Sequence, residues 1–141
     1  MEMSFISEVA TRLVAATLMG TGVGLDRELR HKPAGLKTHA LVALGASLVT
    51  AVCAFLPDGT AMSRAIQGII AGVGFLGGGA ILKNSDEMVH GITTAASIWL
   101  VASLGIACGA GQWIIAIIAL AIALIVLVVG NAFERFVLHR R

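Results

Sequence analysis

The run WIIAIIALAIALIVLVV, residues 113–129, carries no charged side chain and no polar one beyond the indole of Trp113. A helix of roughly this length crosses the hydrocarbon core of a bilayer, which is about 30 Å thick. Of the 141 residues in the chain, 57% are hydrophobic and 13% are charged, whereas soluble domains carry about 25% charged residues. Composition therefore excludes a disordered chain and argues against an ordinary soluble enzyme. We expect a single-domain integral membrane protein over residues 1–141.

Four further apolar runs lie upstream of residues 113–129, separated by polar loops and turns. Pro33 and Gly35 close one loop, and the turn residues 57–60 (PDGT) form another boundary. Because unpaired backbone groups cannot be hydrated in lipid, each run is predicted to be helical. The predicted spans are residues 5–25, 36–56, 65–82, 91–108 and 113–129. The sequence thus predicts an all-α bundle of five transmembrane helices, with alanines placing one face of the fifth helix against the other four.

The basic residues predict the orientation of this bundle. If the N-terminus lies outside, eight of the ten basic residues fall on the inner side: Arg27, Arg30, Lys32, Lys37, Lys83, Arg135, Arg140 and Arg141. The positive-inside rule then favours an N-out, C-in topology. The net charge of +2 gives no indication of a nucleic-acid partner.

An internal repeat is indicated by residues 15–54, which align with residues 71–110 without gaps. Eleven of the forty aligned positions are identical, among them Gly35/Gly91 and Thr38/Thr94. The pattern predicts that helices 1–2 and 3–4 are parallel repeats about an axis along the membrane normal. Chance similarity between two segments rich in Ala, Gly and Leu is the alternative.

Glycines spaced four residues apart allow close contact between helices in lipid. The candidate packing glycines are Gly20, Gly24, Gly68, Gly72, Gly74, Gly77, Gly78 and Gly79. Most of them lie in the third span, which predicts a tightly enclosed central helix. The alternative is a broken helix whose free carbonyl groups line a polar site.

Polar side chains form one group near the predicted outer side: Glu8, Arg12, Arg64 and Gln67. Glu8 and Arg12 are four residues apart on one helical face, so their charges can neutralise each other. A contact between Glu8 and Arg64 across helices is a second prediction, and simple anchoring at the membrane interface is the competing interpretation.

The predicted inner side carries the densest polar cluster: Asp26, Arg27, Glu28, Lys37, Thr38, His39, Asp86, Glu87, Thr93 and Thr94. Its four carboxylates, Asp26, Glu28, Asp86 and Glu87, are oxygen ligands suited to Mg²⁺ held largely through its waters. The competing interpretation is that they form salt bridges with neighbouring basic residues, while the threonines cap helices. The chain shows no order of residues typical of nucleophilic catalysis, no metal-binding His pair and no phosphate loop, so we expect no catalytic residues and no enzyme.

Three segments resemble, in order, the signatures of the MgtC/SapB family (MgtC/SapB/SrpB/YhiD). They are Arg27-Glu28 followed by residues 33–46 (PAGLKTHALVALGA), residues 72–81 (GVGFLGGGAI) and residues 91–99 (GITTAASIW). Together they extend from residue 27 to residue 99, before the fifth span. The acidic position before Arg27 is typically Glu in the family, whereas this chain has Asp26.

The resemblance implies a multi-pass protein of the bacterial inner membrane, linked to growth under magnesium limitation and, in pathogens, to survival inside macrophages. Family members are regarded as regulatory, and ATP synthase has been proposed as a membrane partner. We therefore expect a non-enzymatic regulator that binds membrane partners, surrounded by lipid and assembled as a homodimer. The alternative is a small Mg²⁺ conduit or sensor that uses the inner carboxylates and the glycine-rich third helix. Many members continue into a soluble domain, whose function we expect to be missing here or supplied by another protein.

Overall fold

The computed structural model describes residues 2–57, 59–83 and 89–138, with the side chains at 82, 83, 134, 135, 137 and 138 excepted. Within these ranges the helices are α1 (Glu2–Leu29), α2 (Leu36–Ala54), α3 (Gly59–Gly79), α4 (Ile92–Gly109) and α5 (Trp113–Leu138). The predicted all-α chain of five helices is confirmed. An antiparallel pair of two-residue strands was not predicted: β1 (Leu82–Lys83) pairs with β2 (Val89–His90).

Among the residues that the structure describes, three segments are long and apolar enough to cross a membrane: Leu36–Ala54 in α2, Ile92–Gly109 in α4 and Trp113–Phe133 in α5. This supports a membrane protein. Membrane crossing by α1 and α3, and the N-out orientation, stay predictions.

Helix α4 lies at the centre of the bundle, where it contacts each of the other four helices. Thr94, Ser97, Val101, Leu104 and Cys108 are buried along one face of it, because their spacing of three and four residues repeats with the helical turn. The buried apolar side chains of α4 pack against α1, α2, α3 and α5. Half of this span is buried inside the protein.

Glycines bring α1 and α4 into close contact with α2. A Cβ atom at Gly20 would lie 2.6 Å from the carbonyl oxygen of His39, and one at Gly24 would lie 2.7 Å from the Cα of Leu36. A Cβ at Gly109 of α4 would likewise lie 2.5 Å from the carbonyl oxygen of Ser47 on α2. Any side chain at these positions would force the backbones apart.

Helix α3 lies at the edge of the five-helix bundle of the single chain. The prediction that it is an enclosed central helix is therefore wrong. Only Val73 and Gly77 are buried on it. The other glycines of this helix are exposed, and an added Cβ would meet no atom within 4 Å: Gly59, Gly68, Gly72, Gly74, Gly78 and Gly79. The physical reason is that α3 packs through Ile69, Val73 and Gly77, and its other glycines lie on the remaining surface.

Helix α3 is also uninterrupted from Gly59 to Gly79, which contradicts the broken-helix alternative. It ends before the predicted boundary at residue 82, because the chain there enters the strand pair.

Helix α5 is peripheral, as its alanine face predicts. Ala116 is 0% exposed and Ala123 is 9% exposed, whereas Ile114, Ile125 and Val126 each expose more than half of their surface. Large apolar side chains that point outward along a whole helix are expected where lipid is the solvent.

Helices α2 and α4 begin at equivalent positions of the predicted repeat, Leu36 and Ile92. The N-cap residue before each is a glycine, Gly35 or Gly91. The two caps differ in conformation, since φ is −106° at Gly35 and +91° at Gly91. The internal repeat itself stays a prediction.

Candidate functional site

The candidate site lies where the C-terminal end of α1 meets the start of α4. The chain leaves α1 through two backbone hydrogen bonds, from Lys32 N–H to Arg27 O (3.1 Å) and from His31 N–H to Glu28 O (3.0 Å). This is the Schellman pattern of a helix end, which places His31 at the position that usually holds glycine. His31 accordingly has a left-handed backbone with φ of 52°. The resulting reversal turns the His31–Lys32 segment towards α4.

Glu28 fixes the loop that follows. Its carboxylate accepts a hydrogen bond of 2.9 Å from the backbone N–H of Leu36, the first residue of α2. A Cβ atom at Gly35 would overlap the carboxylate of Glu28, so a side chain there would displace this carboxylate from Leu36 N–H. Glu28 therefore acts as a brace between α1 and α2, with its carboxylate at the positive end of the α2 dipole.

Arg27 is the largest polar side chain in the interior, with 1% of its surface exposed. Its Nη2 atom donates a hydrogen bond of 3.2 Å to the hydroxyl oxygen of Thr94 on α4. Thr94 is also 1% exposed. A charged group is costly to bury unless it is well compensated, so the contact with Thr94 is one of the interactions that hold this guanidinium in the interior.

His39 and Ser97 continue the buried polar line between α2 and α4. His39 is 0% exposed, and its Nδ1 atom donates to the carbonyl oxygen of Gly35 at 2.8 Å. Its Nε2 atom lies 2.9 Å from the hydroxyl oxygen of Ser97, which also lies 2.8 Å from the carbonyl oxygen of Thr94. Gly35 O can only accept, so His39 Nδ1 donates in that contact. The Ser97 hydroxyl has a single proton, which serves either Thr94 O or His39 Nε2.

The carboxylates Asp26 and Glu28 do not face each other across a metal site. Asp26 forms a salt bridge of 2.8 Å with Arg30 on its own helix, and Glu28 is used by Leu36 N–H. Asp86 and Glu87, the other two predicted ligands, lie outside the described residues. In the part of the chain that is described, no three His, Cys, Asp or Glu side chains come together to hold a metal ion. The salt-bridge interpretation therefore describes Asp26 better than the magnesium interpretation does.

The predicted threonine caps are wrong, because the N-cap residues of α2 and α4 are Gly35 and Gly91, without a side-chain cap. Thr38 is exposed near the start of α2, as is Lys37. Thr93 is exposed on α4, whereas Thr94 is buried against Arg27.

The second predicted polar group lies at the opposite end of α1. Arg12 pairs with Glu8 at 2.5 Å, and its Nη1 atom donates a hydrogen bond of 2.6 Å to the carbonyl oxygen of Gly109 at the end of α4. Its guanidinium carbon also lies 5.4 Å from the ring centroid of Phe55. Glu8 therefore pairs within its own helix as predicted. Arg64 is exposed on α3, as is Gln67.

A cavity of about 280 Å³ opens beside Arg27 and Thr94. Its wall also includes His31 and Lys32 from the reversal after α1, together with His90 and Thr93 from the start of the α4 segment. We call it the Arg27 cavity. The carboxylates of Asp26 and Glu28 are not part of its lining.

The sequence interpretation placed Arg27, His39 and Thr94 in a candidate cluster but missed Ser97 and the basic wall of the cavity. A signal for Ser97 exists, because it lies three residues after Thr94 and four before Val101, on the face that α4 buries. The role of His31 and Lys32 carries no such signal, since it depends on how the chain reverses after α1.

Comparison with known proteins places this arrangement in a family. Residues 13–136 match the model of the MgtC family. The chain is 39% identical to Protein SrpB of Synechococcus elongatus, over 88% of this chain and 74% of that protein. It is 35% identical to Protein MgtC of Brucella abortus, over 92% of this chain and 52% of that protein, and 40% identical to Protein SapB of Bacillus subtilis, over 74% of this chain and 48% of that protein.

The chain thus spans about half the length of the Brucella and Bacillus relatives. No solved structure matches it. The family match covers all five helices in whole or in part, and the relatives cover most of the sequence. The chain therefore belongs to the MgtC family.

Proposed function

We propose that this protein is a non-enzymatic regulator of the bacterial inner membrane, which acts in adaptation to low magnesium and in virulence-related survival by binding other membrane proteins. Membership of the MgtC family suggests a magnesium-related membrane function. The observation that carries the binding role is the exposed glycine surface of α3.

That surface has a defined shape. Gly68, Gly72, Phe75 and Gly79 follow each other at intervals of four, three and four residues, so they share one face of α3. All three glycines are open to their surroundings, and Phe75 exposes 84% of its surface. The face therefore presents one large projecting ring between shallow backbone hollows.

Such a face favours helix–helix contact in lipid. The hydrophobic effect contributes little between lipid-exposed helices, and association depends on close backbone approach and shape. Phe75 on one helix can fill the hollow at a glycine of another, which fits both a second copy of this chain and a transmembrane helix of another protein. We propose homodimers together with a membrane-protein partner, for which ATP synthase is the candidate that the family resemblance supplies.

The test is site-specific photocrosslinking in membranes of bacteria grown in low magnesium. A photoreactive phenylalanine at position 75 should give discrete adducts with another membrane protein, identified by mass spectrometry. The matched control carries the same residue at Ile118, which is 54% exposed on α5 and is expected to label lipid. Adducts of position 75 with lipid and with this chain alone would contradict the proposed function.

Glycine substitutions provide a second control. Gly72→Leu fills a hollow of the α3 face, whereas Gly130→Leu makes the same change on α5, where an added Cβ also meets no atom within 4 Å. We expect the adduct at position 75 to be lost with Gly72→Leu and retained with Gly130→Leu. If both variants retained the adduct equally, the partner would not bind through the glycine face of α3.

The Mg²⁺ conduit or sensor is the alternative function, and its supports are weaker. Asp26 and Glu28 are already bonded to Arg30 and Leu36, and α3 is one continuous helix. Its test is Mg²⁺ flux into liposomes that hold the purified protein. Flux that is abolished by Asp26→Asn combined with Asp86→Asn would favour this function over the regulator.

A further inference from the structure

A groove separates α4 from α5 along the half of α4 that begins at Ile92. Its volume is about 480 Å³, compared with about 280 Å³ for the Arg27 cavity. Its wall includes α4 residues from Thr93 to Leu100 and α5 residues from Ala119 to Leu127. We call it the α4–α5 groove.

The groove exists because α5 packs on the bundle at one end and along one side. Near the chain reversal at residues 110–112, Ala116 is 0% exposed and packs with Ala16 and Cys108. Further along α5, Leu120 and Leu124 pack against the core. The side of α5 next to these leucines faces the groove instead.

Small side chains form much of the wall on both sides of this groove: Ala96 and Ser97 on α4, and Ala119 and Ala123 on α5. Such residues allow helices to come close together in lipid, but here a space remains between them. Protein interiors contain few voids larger than a water molecule. The groove is therefore a space that another molecule can fill.

The wall of the groove is almost entirely apolar. Among the described residues that line it, none is charged, and the polar side-chain atoms are the hydroxyls of Thr93 and Ser97. An ordered water needs two to four polar partners, which the rest of the wall does not provide. The rim is open to the membrane, since Ile122 and Val126 expose 57% and 63% of their surface. Hydrocarbon is therefore the occupant that this wall favours.

The direction of the groove matches that of a lipid in one leaflet. Thr93 is the second residue of α4 and Leu100 is the ninth, so the α4 wall extends over roughly 10 Å at about 1.5 Å per residue. The hydrocarbon of one leaflet is about 15 Å thick, which is half of that of the bilayer. The hydroxyl of Thr93 lies at the helix start, the level of a headgroup, and the apolar wall continues towards the middle of the membrane.

The polar end of the groove has the charge that suits a phospholipid. Thr93 also lines the Arg27 cavity, whose wall includes Lys32 and His90. Both of these side chains are exposed, and Lys32 carries a positive charge. A cationic side chain at this level of the membrane attracts the phosphate of a lipid headgroup.

We propose that the α4–α5 groove binds one acyl chain of a phospholipid from the cytoplasmic leaflet, with the headgroup on the side of Thr93 and Lys32. The bound chain completes the packing between α4 and α5. In the predicted topology the start of α4 faces the cytoplasm. No described residue of α3 lines the groove, so lipid binding there is independent of partner binding through α3.

The first test is native mass spectrometry of the purified protein after extensive washing in detergent. The matched variants are Ala96→Leu, which fills the groove, and Ala121→Leu, which makes the same change on α5 outside the lining. Both alanines are exposed, so neither variant overpacks the core. We expect about one phospholipid per chain in the unchanged protein and in Ala121→Leu, and loss of that lipid in Ala96→Leu. Absence of lipid from the unchanged protein, or equal retention in both variants, would overturn the proposal.

The second test places the lipid in the bilayer. Phospholipids with a diazirine either near the headgroup or deep in one acyl chain are photolysed in liposomes that hold the protein, and labelled peptides are identified by mass spectrometry. The first probe should label the α4 segment at Thr93 and the second the segments at Leu100 and Ala119. The reference is Leu41, which is 66% exposed near the start of α2. Labelling around Leu41 as strong as that of the groove would mean non-specific lipid only. Crosslinked copies of this chain that are lost in Ala96→Leu, without lipid labelling of the groove, would show that a second copy fills it. Either result would make the proposal wrong.

Discussion

Helices α1 and α3 each carry a pair of glycines four residues apart, and the two pairs lie in opposite environments. On α1, Cβ atoms at Gly20 and Gly24 would lie within 3 Å of the backbone of α2. On α3, Cβ atoms at Gly68 and Gly72 would meet nothing within 4 Å. The same spacing therefore marks an internal contact in one helix and an open surface in the other.

The difference shows what the motif means physically. Two glycines on one helical face make close approach possible, but they do not determine which helix approaches. The α1 pair is used by α2, which follows it in the chain, while the open α3 pair remains available to a helix outside the described fold. Substitutions at the α1 pair should therefore change the stability of the chain, and substitutions at the α3 pair should change its assembly with other helices.

The largest effect is expected for Gly20→Leu compared with Gly68→Leu. At Gly20 the new side chain must displace the carbonyl oxygen of His39, 2.6 Å from the Cβ position, which should cost about 3 kcal/mol because overpacking against backbone cannot relax easily. Gly68→Leu should change the unfolding free energy of the isolated chain by less than about 0.5 kcal/mol. Thermal unfolding in detergent measures both. Equal destabilisation by the two substitutions would mean that the Gly68 face of α3 packs against another helix of the same chain.

The sequence alone was sufficient for the five helices, because apolar runs and turn residues are local signals. It was insufficient for their order in space. The third helix has the most glycines and was expected at the centre, but α4 occupies that place. Its face Thr94, Ser97, Val101, Leu104 and Cys108 combines small and apolar residues at helical spacing. Which glycines meet a neighbour depends on tertiary packing, which a single helix does not encode.

The candidate site was predictable to a similar degree. Arg27, His39 and Thr94 stand out as polar residues at the ends of apolar runs, and the structure brings Arg27 to Thr94. The salt bridge between Asp26 and Arg30 agrees with the salt-bridge interpretation, since the two residues are four apart in the sequence. The use of the Glu28 carboxylate by Leu36 N–H was not predicted. The contact of Glu28 with Leu36 depends on the backbone path of residues 30–35. In that segment His31 adopts a left-handed conformation, which the sequence does not predict.

A smaller effect is expected for the polar contact between α2 and α4. Ser97→Ala removes the hydroxyl that lies 2.9 Å from His39 Nε2 and leaves that buried nitrogen without this partner, which should cost about 1 kcal/mol. Ser103→Ala is the matched control, since its hydroxyl donates only to Trp99 O of the same helix. Unfolding midpoints of the two variants provide the comparison. A loss as large for Ser103→Ala would show that the His39 contact contributes nothing specific.

The smallest effects are expected at the arginines of α1 and α3. Glu8 is half exposed, with 51% of its side chain accessible, so Glu8→Gln should cost about 0.3–0.5 kcal/mol, as solvent screens the pair with Arg12. Arg12→Gln should cost more, because Arg12 also donates to Gly109 O at the end of α4. Arg64→Gln on α3 should not change the unfolding free energy of the isolated chain, since Arg64 is exposed.

A double-mutant cycle over Glu8 and Arg12 measures the coupling energy of this pair. Raised salt should reduce that coupling energy, while the contribution of the hydrogen bond from Arg12 to Gly109 O persists. An equal loss of unfolding free energy in Arg64→Gln and Arg12→Gln would mean that Arg64 makes stabilising contacts comparable to those of Arg12.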